Sequence, residues 1–539
     1  MPENAPFAAS RFYVQAGDRL VHVRQAGRGP AVVMLHDSPR SSRLHLPTMA
    51  ALADRYTVFA LDTAGYGLSD PIDLPAPRIE DFATALGEAL AALGLEKAPL
   101  YATHTSAKIA LAYAARCPAM PRLILDGLSM PEVLAEEGFI AAYMRPFRPE
   151  ASGGYLASEW GRLRDMLRWF PWFATNPAQR MTIPAPDADW MADYAIDLFS
   201  AGEHYSDAYA AAMRYDPAPD LARVAVPTIV AARQDDVLHG YLPRAAESGN
   251  PQVTTQSLPA DRRAWLDWLA QAFAVEGQAA PAPPAQSGAR RYTSHAQGPI
   301  HWTVSGTGEG TPWVILSAPT TLHAHRWATA LNGPCLVPDL PGFGESDPAT
   351  DILEALEAGL REMGINEVQV LGLGVASPLA AALGKNIGAK RLVVDGLPPL
   401  DPEAAARFGE GLCPPIPFDP LAGSHNHQIW HILRDGEAQW PWHAASPAAI
   451  RQLPPMLEAD GLHQALTGVL KQPLHWGDAA NAALALGRQV WADLTLPVQA
   501  FTHADPAYAD APQLAALCGA RLAPRPDTLA QAAALLETV

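Results

Sequence analysis

Several sets of residues have types and spacing that could do chemistry. His425, His427 and His431 recur at a spacing that could hold a metal on one helix face, with His443 further on. No carboxylate or cysteine completes the set nearby, so a polar helix face or an interface is expected there, and no metal. Gly372-x-Gly374-x-x-Ser377, with Asp395 after the next apolar run, has the outline of a dinucleotide-binding turn. Its third glycine is absent, and no cofactor is expected. Cys117, Cys335, Cys413 and Cys518 lie far apart with no C-x-x-C pair, as expected of reduced thiols. Histidines such as His36 and His104, and the adjacent aspartates Asp235 and Asp236, also lie close behind short apolar runs. An imidazole facing a pocket can act as a general base, and a carboxylate can orient or charge it. Two adjacent loop aspartates serve equally well as solvated turn formers.

The elements that must position these groups alternate. Ala31–Leu35, Tyr56–Leu61, Arg122–Leu125 and Pro227–Ala231 are β-rich, and Ala/Leu-rich helical stretches such as Ile79–Leu93 separate them. Buried strands joined by helices of this length predict an α/β fold, a mostly parallel sheet with helices on both faces. Between Ser129 and about Leu221 the strand pattern gives way to helical, aromatic text, an insertion placed where a lid would sit. The pattern then repeats. Asp62-Thr-Ala-Gly-Tyr-Gly-Leu-Ser-Asp-Pro71 matches Asp339-Leu-Pro-Gly-Phe-Gly-Glu-Ser-Asp-Pro348. Trp160-x-x-Leu163-Arg164-Asp165 matches Trp430-x-x-Leu433-Arg434-Asp435, and Phe170-Pro171-Trp172 matches Trp440-Pro441-Trp442. Two copies of one fold are expected: residues 1–276 with a lid over about 129–221, and residues 290–539 with a lid over about 400–492. Gly277–Ala289, built of Gly, Ala, Pro, Gln and Ser, reads as the linker between them.

Composition narrows the partners. Of 539 residues, 49% are hydrophobic and 17% charged, enough apolar material for real cores. The net charge of -18 argues against nucleic acid or an anionic membrane as the main partner. No run of 18 apolar residues occurs, and the first ten residues lack a basic start followed by an apolar run. A cytoplasmic protein with a small-molecule substrate, and contact between its two halves, is the expectation.

Leu35-His36-Asp37-Ser38-Pro39, then Asp62-x-x-Gly65-Tyr66-Gly67-x-Ser69-Asp70, then the strand and sharp turn at residue 104, resemble the α/β-hydrolase superfamily. The resemblance covers nearly the whole chain twice. It implies a His-Gly loop that supplies an oxyanion donor, a G-x-S-x-G elbow that carries a nucleophile, and then an acid and a histidine. Aligned on Ile109-Ala110-Leu111, it puts His104 at the nucleophile's place, with Ala102 and Ser106 replacing the elbow glycines. A shift by one would put Thr105 there but would move the helix out of register. Asp236 falls at the acid's place. The closing histidine has no counterpart in Gln256–Arg263, and only His239 is near in sequence. A serine-hydrolase triad is therefore not expected. The expected catalytic set is His104, Asp236 and His36. Backbone donors would come from Ser38 and Thr105, and Ser106 and Trp172 would line the pocket. Asp37 stands where the family has glycine and adds charge. In the second copy Gly374 takes the nucleophile's place, Leu316–Pro319 the His-Gly loop and Pro506 the acid's place, leaving no usable triad. The reading is an enzyme acting on a small apolar carbonyl compound such as an ester or lactone, with His104 as base and no seryl acyl-enzyme. The alternative is a non-catalytic tandem protein that binds a small ligand or a protein partner.

Overall fold

The structure, a computed structural model, describes residues 9–181, 186–306 and 310–537. Most of the N-terminal stretch read for a targeting signal, residues 1–8, lies outside the described residues. The chain forms two compact units, Met1–Arg148 with Glu159–Gly288, and Pro149–Ser158 with Ala289–Val539.

The first unit is built on eight strands: β1 (Ser10–Ala16), β2 (Arg19–Gly27), β3 (Ala31–Leu35), β4 (Thr57–Leu61), β5 (Leu100–Thr103), β6 (Leu123–Asp126), β7 (Thr228–Arg233) and β8 (Val253–Leu258). Their order across the sheet is β1-β2-β4-β3-β5-β6-β7-β8. β2 runs antiparallel to both its neighbours, and the pairs from β4 to β8 are parallel. β3, β4 and β6 are buried at every position. That is the state their continuous apolar runs require, because helices cover both faces.

The second unit has β9 (Arg290–Thr293), β10 (Ile300–Ser305), β11 (Trp313–Ala318), β12 (Cys335–Pro338), β13 (Gln369–Gly374), β14 (Leu392–Asp395), β15 (Val498–Thr502) and β16 (Arg521–Pro524). Read from β9, its order is β9-β10-β12-β11-β13-β14-β15-β16, which repeats the first sheet strand for strand. In each unit the chain leaves the sheet between the sixth and seventh strands and returns only after a run of helices, over 137–223 and 402–492.

The repeated Asp-x-x-Gly-x-Gly motif is a structural knot. Asp62 lies 2.8 Å from His22 Nδ1 and accepts the backbone N–H groups of Ser42 at 2.6 Å and Leu68 at 3.0 Å. Gly67, at φ +56°, packs so closely on this carboxylate that a Cβ would stand 2.2 Å from its oxygen. Only glycine can take that conformation and that approach. Burial alone would raise the Asp62 pKa, but the adjoining His22, with His36 and Arg24 near, holds it well below the carboxylate range. The second unit repeats the knot, with His301 Nδ1 3.1 Å from Asp339 and Gly344 at φ +59° against the carboxylate.

The Pro/Ala-rich segment runs extended along the first unit. The Ala31 N–H donates to Gln278 O at 3.0 Å, and the Gln286 side chain bonds both backbone groups of Tyr13, at 3.0 and 3.1 Å. All four cysteines are free thiols. Among the described residues no helix is long and apolar enough to cross a membrane.

Candidate active site

His104 sits alone at the turn between β5 and the helix Thr105–Ala114. Its φ of +49° makes it the only non-glycine residue with positive φ among the described residues. The turn lifts the side chain off the C-terminal edge of the sheet, where the imidazole stays 32% exposed. Asp236 reaches it from the loop after β7: Asp236 Oδ2 lies 2.9 Å from His104 Nε2. Asp236 Oδ1 accepts the Leu238 N–H at 2.7 Å, which fixes the carboxylate's orientation.

Two features behind this pair escaped the sequence reading. Gly127, after β6, has φ +71°, and a Cβ there would stand 2.6 Å from the His104 ring. The glycine makes the room that the imidazole occupies. Beside it, Asp126 is buried and accepts the Tyr101 hydroxyl at 2.8 Å and the Trp265 indole N–H at 2.9 Å. The signal was available: each copy ends its sixth strand on Asp-Gly, at Asp126-Gly127 and Asp395-Gly396.

Electrostatics charge the pair. Burial lowers the His104 pKa, but the Asp236 hydrogen bond and charge outweigh it, with Asp37 and Asp126 adding to them, and push it up to about 9. Burial raises Asp236, and the hydrogen bond and charge of His104 more than reverse that shift. At neutral pH the resting state is an imidazolium on a carboxylate.

His36, Ser106 and Trp172 are held by partners of their own. His36 is buried, its Nδ1 2.8 Å from Asp37 O and its Nε2 accepting the Thr63 N–H at 2.9 Å. Both ring nitrogens are committed to backbone, so His36 braces its loop and has no lone pair left for a substrate proton. Ser106, expected at the pocket wall, is buried and donates its hydroxyl to His36 O. It ties the turn to the loop after β3, which is why it is no surface for substrate. Trp172 lies in the lid, its indole N–H donating to Tyr143 O at 2.9 Å and its ring 5.5 Å from that of Phe173. It belongs to the lid's own aromatic packing. Thr105 and Ser38 are buried beside the turn and loop. Thr105 opens the helix, ahead of the Ala107 N–H that bonds back to His104 O, so its own N–H precedes the first intrahelical bond. His239 turns elsewhere, 2.8 Å from Ser257 Oγ.

The loop after β3 also carries Asp37 and Arg40. Arg40 Nε donates to the lid's Asp197 at 2.8 Å, Ser41 Oγ donates to the same carboxylate at 2.6 Å, and the guanidinium lies over Trp190 and Tyr194. The lid is thereby fastened to the loop beside His104. Asp37 acts electrostatically on His104, Arg40 and Tyr194, and its Oδ1 is buried with no hydrogen-bond partner among the described residues.

In the second unit Gly374 makes the same turn at φ +51°. Both sheets share one strand order, one antiparallel second strand, a turn of positive φ at the end of the fifth strand and a helical insertion after the sixth. Both units carry the α/β-hydrolase fold. No family model matches the chain. Over 96 residues it is 32% identical to Haloalkane dehalogenase 2 of Mycobacterium bovis, covering 18% of this chain and 33% of that protein. Over 112 residues it is 29% identical to 2-(acetamidomethylene)succinate hydrolase of Mesorhizobium japonicum, covering 21% of this chain and 40% of that protein. The chain thus spans about a third of the length of the curated relatives it matches. A solved structure of an epoxide hydrolase mutant from Solanum tuberosum aligns with a TM-score of 0.40 and 19% identity, over 49% of this chain and 97% of that one. Among the described residues no three His, Cys, Asp or Glu side chains are grouped to hold a metal. In the helix Ser424–Asp435, His427 and His431 approach to 6.4 Å between ring centres.

Proposed function

We propose that the first unit is a hydrolase-fold enzyme for a small, mostly apolar carbonyl compound, with His104 as general base and Asp236 as its partner. One observation carries this reading: an imidazole held at a strained apex, in a hydrogen bond of 2.9 Å to a carboxylate from another loop. A positive φ costs a side-chain-bearing residue on the order of 1–3 kcal/mol. The second unit meets the same turn with glycine, so the first retains His104 where glycine would be cheaper. The partial similarity to proteins named as a dehalogenase and a hydrolase adds support for an enzyme.

With Nε2 engaged by Asp236, Nδ1 is the ring atom left for substrate. The neutral ring takes a proton from water while the water oxygen bonds to the carbonyl carbon. The proton then passes to the leaving oxygen as its bond to carbon breaks, and the ring is regenerated. The Thr105 N–H, at a helix start, is a donor for the intermediate's oxygen. The same base could instead take a proton from the carbon next to a carbonyl. No serine stands at either apex, so a stoichiometric organophosphate label is not expected. Intact-mass spectrometry checks this, and one equivalent on Ser106 or Ser38 would contradict it.

The rival reading is a tandem binding protein without turnover. It is favoured by the loop after β8, where Asp261 caps the final helix and no histidine stands. A panel of p-nitrophenyl esters and lactones, run on the parent and on His104→Ala, separates the two. Turnover that depends on His104 supports the enzyme, and saturable binding without turnover supports the rival.

A further inference from the structure

We infer that Lys108 and Tyr66 are positioning residues of the first unit's site. They pin the two ends of the lid helix Asp207–Arg214 and so hold its Tyr209 beside the loop of Asp37 and the turn of His104. Lys108 is buried and lies one helical turn after His104. Its Nζ donates to Ala212 O at 2.8 Å and to Tyr215 O at 3.1 Å, at the C-terminal end of the lid helix. At the other end the Tyr66 hydroxyl accepts the Ala208 N–H at 3.0 Å and donates to Tyr205 O at 2.9 Å. It also meets the Ser38 hydroxyl of the loop after β3. Between the clamps stands Tyr209, its ring 5.9 Å from that of Tyr143 and its hydroxyl bonded to the Tyr143 hydroxyl. Asp37 acts electrostatically on both Tyr209 and His104.

A buried ammonium is costly unless its hydrogens find acceptors, so packing alone does not call for a lysine at this place. Among the described residues no carboxylate bonds it, and burial pushes its pKa down to about 8. A neutral amine still carries two hydrogens, one for each carbonyl, so the clamp also holds above that pH.

The second unit shows the same helix without the clamps. His204-Tyr-Ser-Asp207-Ala208 matches His475-Trp-Gly-Asp478-Ala479, and each histidine Nδ1 lies by its aspartate, at 2.9 and 3.0 Å. The helix Asp478–Leu486 is therefore the counterpart, with Ala480 in the place of Tyr209. Phe343 stands for Tyr66 and Pro378 for Lys108, and neither side chain has a polar atom. Ala480 is instead buried in one apolar cluster with Phe408, Leu412 and Val375, the residue after the Gly374 turn. Apolar packing at the turn keeps that helix in place. Tyr209 is only partly buried and carries a hydroxyl, so the first unit needs the clamps instead.

Hydrogen exchange of the full chain, read by mass spectrometry, tests this in two variants. Lys108→Met keeps the stem and removes the donors, and Tyr66→Phe gives the first unit the residue that the second unit has. Each should speed exchange over residues 207–214 about tenfold or more and leave β5 and β6 unchanged. A second readout, on an ester or lactone that the parent hydrolyses, rests on the function proposed above. In Lys108→Met, KM should rise about tenfold, kcat should change less than about threefold, and the pH midpoint should stay put. Unchanged exchange over 207–214, exchange that rises equally in β5 and β6, or an unmoved KM overturns the proposal. A parent without turnover ends the enzyme reading and leaves the exchange result to decide the clamp. If Lys108→Met does not fold, Tyr66→Phe decides alone.

Discussion

His104→Ala should remove most turnover on whichever ester or lactone the parent hydrolyses, a loss of roughly 10²–10⁴-fold. The size follows from the role: the proton acceptor goes, while the Thr105 donor and the pocket stay. Folding should change little. The substitution keeps a Cβ, so the backbone strain at φ +49° is the same before and after. Asp236 loses the imidazole but keeps the Leu238 N–H and is itself 16% exposed, so it is not stranded. Circular dichroism and a thermal melt beside the kinetics separate a lost base from a lost fold. A variant that turns over at the parental rate ends the role assigned to His104 and leaves the binding reading in its place.

Asp62→Ala should destabilise the first unit by about 3–5 kcal/mol, the cost of removing one partner from a buried charged pair. His22 would keep its buried place without the carboxylate, and the N–H groups of Ser42 and Leu68 would lose their acceptor. Against a total stability of about 5–15 kcal/mol for a domain, that is a large share. The pH dependence has a fixed sign. The folded pKa of Asp62 is depressed, so its contribution is fully present above the unfolded value of about 3.9 and is lost as pH falls toward the folded value. Urea melts at neutral pH check the magnitude. Asp339→Ala should act in the same direction on the second unit, through His301. Little or no change in the first unit's midpoint with Asp62→Ala would show that the knot is decoration.

The fold was legible because the hydrophobic runs of both copies carry the same alternation of strand and helix. The Asp-x-x-Gly-x-Gly text was legible for a local reason, since a carboxylate and a glycine forced against it leave a spacing in the sequence. The meeting of His104 and Asp236 was legible, since their places follow from strand ends. The role of His36 was not legible, because the deciding fact is that two distant backbone groups, Asp37 O and the Thr63 N–H, take both nitrogens. Ser106 misled for the same reason: whether its hydroxyl faces a pocket or the His36 carbonyl depends on how closely two loops pack. Gly127 acts through space on a ring 23 positions earlier in the chain, and no spacing rule reaches that far.

The pairing of base and carboxylate is tested most directly by the pH dependence of kcat/KM in the parent and in Asp236→Asn. The working form is the neutral imidazole, so parental activity should rise with pH and level off above an apparent pKa of about 9. Asp236→Asn removes the charge that holds the proton, so the midpoint should fall to the ordinary histidine range near about 6.5 or below, with a lower plateau. A midpoint that stays put when Asp236 is neutralised, or a rate indifferent to pH across that range, would contradict the pairing.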